Sequence, residues 1–361
     1  MKRIKKITSG IRFARICTIT LLSIFTLSTC NVFLGKDPES TPQGIFDCVW
    51  NDFNETYALF EDRGIDWDQV YKDYTPIPPE ISDYDLFMVC SNMLIALDDL
   101  HSRFLSPPFS VPLYWNSEQD GSDPFHPIVI KSYLENGGTE TSDGMILWGM
   151  FKSEKSRHPV GYINITSFSG DTIGADGVSP WVKSIDDIVQ SLIASTDALV
   201  IDVRNNPGGF ALNMDYIASR FASVQKPYLK SCTRNGHGHN DFTPYTAREI
   251  KPAAIRYTKN IVLLTNKETC SSGEWFTMAL RTQDHVTHVG QATKGIFSAK
   301  IIRPLINGWK YSMSVQKIRT PDGEIVEGIG IRPQIEVINQ WAEIGKNQDK
   351  QLDKALALLN P

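Results

Sequence analysis

Ser271 stands in the run Thr269-Cys270-Ser271-Ser272-Gly273-Glu274, between an apolar run (Ile261 to Thr265) and a stretch with helical spacing. A serine on a tight strand-to-helix turn is held exposed, and the first helical N–H groups face whatever it attacks. The N–H of Ser272 could then steady the oxygen of a tetrahedral intermediate, aided by the helix dipole. A second donor could come from Asp202-Val203-Arg204-Asn205-Asn206-Pro207-Gly208-Gly209. A glycine pair after a buried strand brings a bare N–H close, because no Cβ intervenes. The same letters have a plain structural reading, with Ser271-x-x-Glu274 as a capping box and Gly208-Gly209 as a turn. Ser272 is the second candidate nucleophile. A base must come from elsewhere in the chain. His101, in Asp98-Asp99-Leu100-His101-Ser102, has an ordinary pKa of about 6.5, suited to that work. Lys294, in Thr293-Lys294-Gly295-Ile296, is the other cation to weigh.

The elements that must position these residues fall into two styles. Ile45, Phe46, Val49, Trp50, Phe53, Tyr57 and Phe60 recur at helical spacing. Asp66-Trp67-Asp68 opens a second helix through Tyr74, and Ser82 to Leu97 a third, so residues 45–110 are expected to form a helical domain. Residues 111–158 change to Pro, Gly and Asn punctuation around short runs such as Pro127-Ile128-Val129-Ile130, and read as a small β-rich insert. From Val160 strand-like and helix-like stretches alternate: Val160 to Ile165, Val182 to Ala194, Ala198 to Val203, Leu212 to Phe221, Ile261 to Thr265, Ser272 to Arg281 and His288 to Gly290. That order predicts a layered α/β core with a largely parallel sheet over 159–361. Trp309 to Val326 reads as a hairpin turning at Thr320-Pro321-Asp322-Gly323.

Four segments in order resemble one family. Asp98 to Ser102, Asp202 to Gly209, Thr269 to Glu274 and Glu327-Gly328-Ile329-Gly330-Ile331-Arg332-Pro333 look like the motifs of the tail-specific and tricorn-core serine peptidases. The resemblance runs from about residue 45 to 338. It implies a crotonase-like βαβ spiral core, peptide or unfolded-protein substrates and no cofactor or metal. It makes Ser271, His101 and Glu327 the candidate catalytic set, with Glu327 steering the arrangement through His101 or a bridging serine. Oxyanion donors would come from Ser272 and from Gly208 or Gly209. The tail-specific branch ends its T-x-G-K stretch in a lysine; here Ile296 stands in that place, which excludes the usual Ser–Lys dyad and favours His101. The tricorn-like branch has a serine before its histidine, where this chain has Leu100. The insert is short for a PDZ domain and shows no carboxylate-binding Gly-Leu-Gly-Phe-type loop. The missing lysine also leaves open a second class, a peptide- or lipid-binding protein of the same fold that needs neither His101 nor Glu327 near Ser271.

Composition narrows the classes further. The 361 residues are 41% hydrophobic and 21% charged, ordinary for a globular chain. The net charge of −5 hides an asymmetry, since residues 1–29 hold six basic residues and no acid; beyond residue 29, 30 basic and 41 acidic residues remain, or −11. So acidic a body has no electrostatic footprint for nucleic acid. The basic start, the run Ile16 to Leu27 and Leu27-Ser28-Thr29-Cys30 resemble a bacterial lipoprotein signal over 1–29, with Cys30 lipidated, 30–44 a polar tether and the protein held on the cell-envelope membrane. Cys48, Cys90, Cys232 and Cys270 are too widely spaced for a zinc site, and free thiols are favoured over a disulfide.

Overall fold

The computed structural model describes residues 39–105, 124–170, 172–305 and 307–360. The expected signal, Cys30 and residues 111–123 lie outside them.

Four helices open the described residues: α1 (Pro42–Thr56), α2 (Phe60–Arg63), α3 (Trp67–Tyr74) and α4 (Asp83–Ile95). Side-chain caps fix three of the starts. Thr41 accepts the Gly44 N–H at 3.0 Å, Asp66 that of Gln69 at 3.0 Å and Ser82 that of Asp85 at 3.1 Å, each cap stabilising its helix by roughly 1 kcal/mol. Then follow β1 (Arg103–Phe104), α5 (Pro127–Tyr133), β2 (Thr139–Glu140), β3 (Ile146–Met150), β4 (Val160–Ile165), α6 (Ser184–Ser195), β5 (Ala198–Asp202) and α7 (Ala211–Ala218). The second half runs β6 (Lys226–Thr233), β7 (Thr246–Ile250), β8 (Asn260–Thr265), α8 (Ser272–Arg281), β9 (Val286–Gly290), β10 (Lys300–Pro304), β11 (Lys310–Ser314), β12 (Gln316–Arg319), β13 (Ile335–Glu336), α9 (Trp341–Ile344) and α10 (Lys350–Leu359).

Seven strands form the main sheet in the order β13-β9-β8-β5-β4-β3-β2. From β13 to β4 the neighbours are parallel, while β3 and β2 turn back antiparallel at the edge. Both faces are covered, which is why β5 and β8 read as near-continuous apolar runs rather than alternating ones. Ile163, Leu199, Ile201, Ile261 and Leu263 pack under α6, α7 and α8, against residues such as Val189, Ile217 and Phe276. Their neighbours Tyr162, Val200, Val262 and Leu264 meet Val129, Ile130 and Tyr133 of α5 and Leu352 and Leu356 of α10.

A crotonase-like βαβ spiral is therefore not the architecture. One mixed sheet carries the core, and two antiparallel three-stranded sheets, β1-β11-β10 and β12-β6-β7, stand apart from it. The pattern of apolar runs is the same for either arrangement; strand order depends on long-range pairing that the pattern does not contain. The short link from β3 to β4 permits only an antiparallel return, since a parallel crossover needs roughly a dozen residues or more. Pro127-Ile128-Val129-Ile130, expected in a β-rich insert, opens helix α5, with Pro127 in the first turn and His126 as its cap; β2 and β3 of the same stretch join the main sheet. The turn at Thr320 to Gly323 forms, but its arms meet only at the Arg319–Ile325 bridge, and β12 pairs with β6 instead. The helical segment is not closed on itself either. Phe46, Phe53, Phe87 and Met93 pack on Phe104, Tyr311 and Met313 from the β1-β11-β10 sheet and on Trp309 just before β11. That sheet carries the turn bearing His101 into the rest of the molecule.

Candidate active site

The loops after β5 and β8 leave the carboxyl ends of adjacent parallel strands, the usual place for a site in such a sheet. Ser271 sits on the second loop at φ 55°, ψ −124°, directly before α8. A non-glycine residue there is strained and persists only where its surroundings fix it. Here its N–H is shared between the Ile296 carbonyl (3.0 Å) and Glu274 Oε2 (3.1 Å). The first loop presses on it. A Cβ added to Gly208 would lie 2.6 Å from Ser271 Cβ and 2.7 Å from the Ser272 nitrogen, so only glycine fits. Gly208 donates its own N–H to Asn206 Oδ1 (2.8 Å), which leaves the Gly209 amide as the donor on this loop that is not spent inside it. The Ser272 hydroxyl is donated to the Gly209 carbonyl (2.7 Å). That bond disfavours Ser272 as a nucleophile and ties the two loops together. Arg204 anchors the first loop from below: fully buried, it bonds Asp202, Asp349 and Gln351.

The segment Thr293 to Ser298 is the hub on which the sequence-predicted residues meet. From one side Glu274, fully buried, accepts from Thr293 Oγ1 (2.6 Å), Gly295 N (2.6 Å) and Ile296 N (2.8 Å). From the other side Glu327, also buried, accepts at Oε2 from Phe297 N and Ser298 N, both at 3.0 Å. Its Oε1 faces Arg63 Nη2 at 3.2 Å. His101 leaves the turn after α4, where Asp99 Oδ1 accepts its N–H (2.9 Å) and Asp99 Oδ2 accepts the Ser102 hydroxyl (2.6 Å). Its ring is buried against the Ser298 backbone. Among the described residues no hydrogen bond joins the side chains of Ser271, His101 and Glu327 to one another. Each is tied instead to the hub: Ser271 at Ile296, Glu327 at Phe297 and Ser298, and His101 at Ser298.

Burial sets the electrostatics. It pushes His101 down to about 4, with Lys300 and Arg103 adding and Asp99 opposing. The ring is therefore neutral at pH 7, and the neutral-range titration expected from its ordinary value moves into acid. Glu327 is pushed up to about 8 by burial and by Asp99, with Arg63 and the Phe297 N–H pulling back; burial pushes Glu274 up to about 7. Lys294 is held at Glu268 Oε2 (2.6 Å). The segment 236–239, which carries His237 and His239, is largely exposed; His239 stacks on Phe60 with ring centres 4.6 Å apart and reaches Asn54 Oδ1 at 2.8 Å. Among the described residues, Cys90, Cys232 and Cys270 form no disulfide. Sequence reasoning missed Arg63 and Asp99, and treated Glu274 as a cap only. Asp99 lies inside a motif and was findable; for Arg63 no local signal exists.

With this geometry in hand, comparison with known proteins is specific. Residues 159–337 match Peptidase family S41, and residues 38–95 match the Tricorn protease C1 domain. The carboxy-terminal processing protease CtpB of Bacillus subtilis is 29% identical over 190 residues, 52% of this chain and 36% of that protein. The chain thus spans little more than a third of that relative's length. A candidate peptidase of Parabacteroides merdae superposes with a TM-score of 0.75 at 26% identity, covering 89% of this chain and 97% of that one. Tricorn protease superposes at 0.57 and 16% identity over 89% of this chain and 36% of that one, a likeness of fold alone. The architecture is that of these peptidases, not of a crotonase-like spiral, and the two family matches relate the chain to the S41/tricorn-core serine peptidases.

Proposed function

We propose that the chain cleaves peptide bonds in short or unfolded peptides by acylation of Ser271, with His101 as the general base. The observation that carries this reading is Ser271 itself, held at φ 55° at the mouth of α8 with Gly208 packed against it. That is the geometry in which a hydroxyl is presented beside helix N–H groups. Ser271 Oγ attacks the substrate carbonyl carbon and loses its proton to His101, neutral at pH 7. The oxygen that gains charge takes the N–H groups of Ser272 and Gly209. His101 then gives its proton to the leaving amine, and water repeats the sequence on the acyl ester. Glu327 acts one step back, since its carboxylate fixes the Phe297 and Ser298 N–H groups of the peptide that faces His101. Lys294, occupied by Glu268, is a bystander. The protein would work in the bacterial cell envelope, held by a lipid on Cys30; the basic start and short apolar run of the sequence support this.

Hydrolysis of a fluorogenic peptide by single variants tests the reading. Ser271→Ala and His101→Ala should each abolish turnover, because members of a nucleophile–base unit fail together. Glu327→Gln should cost roughly 10²-fold, as an orienting group does. Retained activity in Ser271→Ala would sink the proposal.

A further inference from the structure

Arg63 is the last residue of α2 and lies outside every motif, yet its guanidinium reaches both Glu327 and Asp98. Its side chain is 9% exposed and Glu327's is fully buried, with Nη2 to Oε1 at 3.2 Å. The other branch, Nη1, donates to the Asp98 carbonyl. Asp98 lies three residues before His101, on the turn that Asp99 closes, and itself has φ 48°. One fork thus holds two things at once: the carboxylate that fixes the Ser298 peptide, and the turn that presents the histidine ring to that peptide. Arg63 comes from the helical segment and Glu327 from the α/β core, so the bond forms only when the two are docked.

We propose that Arg63 is a positioning residue for the hydrolytic reaction: it draws Glu327 toward its charged form and seats it, and couples docking of the helical segment to the state of the His101–Ser298 contact. The proposal rests on the reading of Ser271, His101 and Glu327 given above. A guanidinium suits the task, since it stays charged and its planar fork serves two acceptors at fixed geometry. The groups that bear on Glu327 are Asp99 and Tyr57 from the helical segment, Glu274 from α8, the Phe297 and Ser298 N–H groups and Arg63. Asp99 and Glu274 disfavour its charge, and Arg63 is the cation among them. Removing Arg63 leaves a buried carboxyl facing other acids, so its titration must move above its present value of about 8.

The test is the pH dependence of kcat/KM for wild type, Arg63→Ala, Arg63→Lys, Glu327→Gln and the Arg63→Ala/Glu327→Gln pair, each confirmed as folded by its unfolding transition. For Arg63→Ala, activity at pH 7 should fall at least tenfold and return to within about threefold of wild type at high pH, the rising limb having moved by one pH unit or more. Arg63→Lys, which keeps the charge, should move less. In the double variant, loss of Arg63 should add no further shift in pH dependence, because Glu327→Gln has no charge left to protect; any extra loss from the freed Asp98 turn should be equal at every pH. An Arg63→Ala profile that overlays wild type, or is lowered equally at every pH, overturns the proposal while leaving the reading of the site intact. If Arg63→Ala does not fold, an Arg63→Lys limb shifted as far as the proposal expects for the loss of charge would overturn it equally. A Glu327→Gln enzyme as active as wild type would instead strike the underlying reading.

Discussion

Gly208→Ala separates a packing effect from a conformational one at the point where the two loops meet. The new methyl would lie 2.6 Å from Ser271 Cβ, 2.7 Å from the Ser272 nitrogen and 2.9 Å from the Cys270 carbonyl oxygen. Relaxed carbon contacts lie at roughly 3.5–4.0 Å, so the loops must part by about 1 Å. Overpacking of this kind costs about 1–3 kcal/mol. A non-glycine residue at φ 90° adds roughly 1–2 kcal/mol of backbone strain, for a total of about 2–5 kcal/mol. The chemical loss should be larger than the stability loss suggests, since moving a reacting group by about 1 Å costs on the order of 10²-fold. The control is Gly144→Ala, at φ 70° with nothing within 4 Å of the added methyl. It should lose only about 1–2 kcal/mol from strain and keep full activity. Urea unfolding and kcat/KM on one peptide read both terms. If Gly208→Ala is destabilised no more than Gly144→Ala and stays within threefold of wild-type activity, the packing argument for the oxyanion loop is wrong.

Two other outcomes follow from the same structure, and a third from the sequence. Lys294→Ala should keep near-normal activity on the peptide that His101→Ala cannot turn over, because Lys294 is paired with Glu268; the reverse pattern would make the lysine the base. Glu327 has a folded pKa raised to about 8, so its contribution to stability is present below its unfolded value of about 4.5 and is lost as pH rises through 8. Glu327→Gln should therefore lose less stability than wild type between pH 6 and pH 9, and parallel urea midpoints across that range would contradict the assignment. Cys30→Ala should release the protein from membranes or block its maturation, and an intact Met1 on membrane-bound protein would exclude the lipid anchor.

How much of this was legible in the sequence depends on the range of the interaction. Ala198–Asp202 and Asn260–Thr265 were readable as buried strands because both their faces are covered, which writes an unbroken apolar run. The order in which they pair was not, and the expected crotonase-like spiral failed there. Pro127-Ile128-Val129-Ile130 misled for a local reason: four apolar residues fit a strand or a helix start, and the His126 cap and first-turn proline were the deciding signals. At the site, motif letters located Ser271, His101 and Glu327. Their link through the Thr293 to Ser298 backbone has no sequence signature, since N–H groups look alike at every position. Burial of the His101 ring, which only the packed turn reveals, moves its titration below the solution value. Arg63 reaches Glu327 across 264 positions of chain, and nothing local marks it.

The most direct measurement is reaction of the protein with a fluorophosphonate at pH 7.5, followed by mapping of the labelled peptide and by the labelling rate of the His101→Ala variant. The account predicts a single adduct on Ser271 in the wild type and a rate at least about 10³-fold lower without His101, the scale expected for loss of a general base. A wild-type protein that stays unlabelled, an adduct on Ser272, or a His101→Ala variant labelled at the wild-type rate would contradict it.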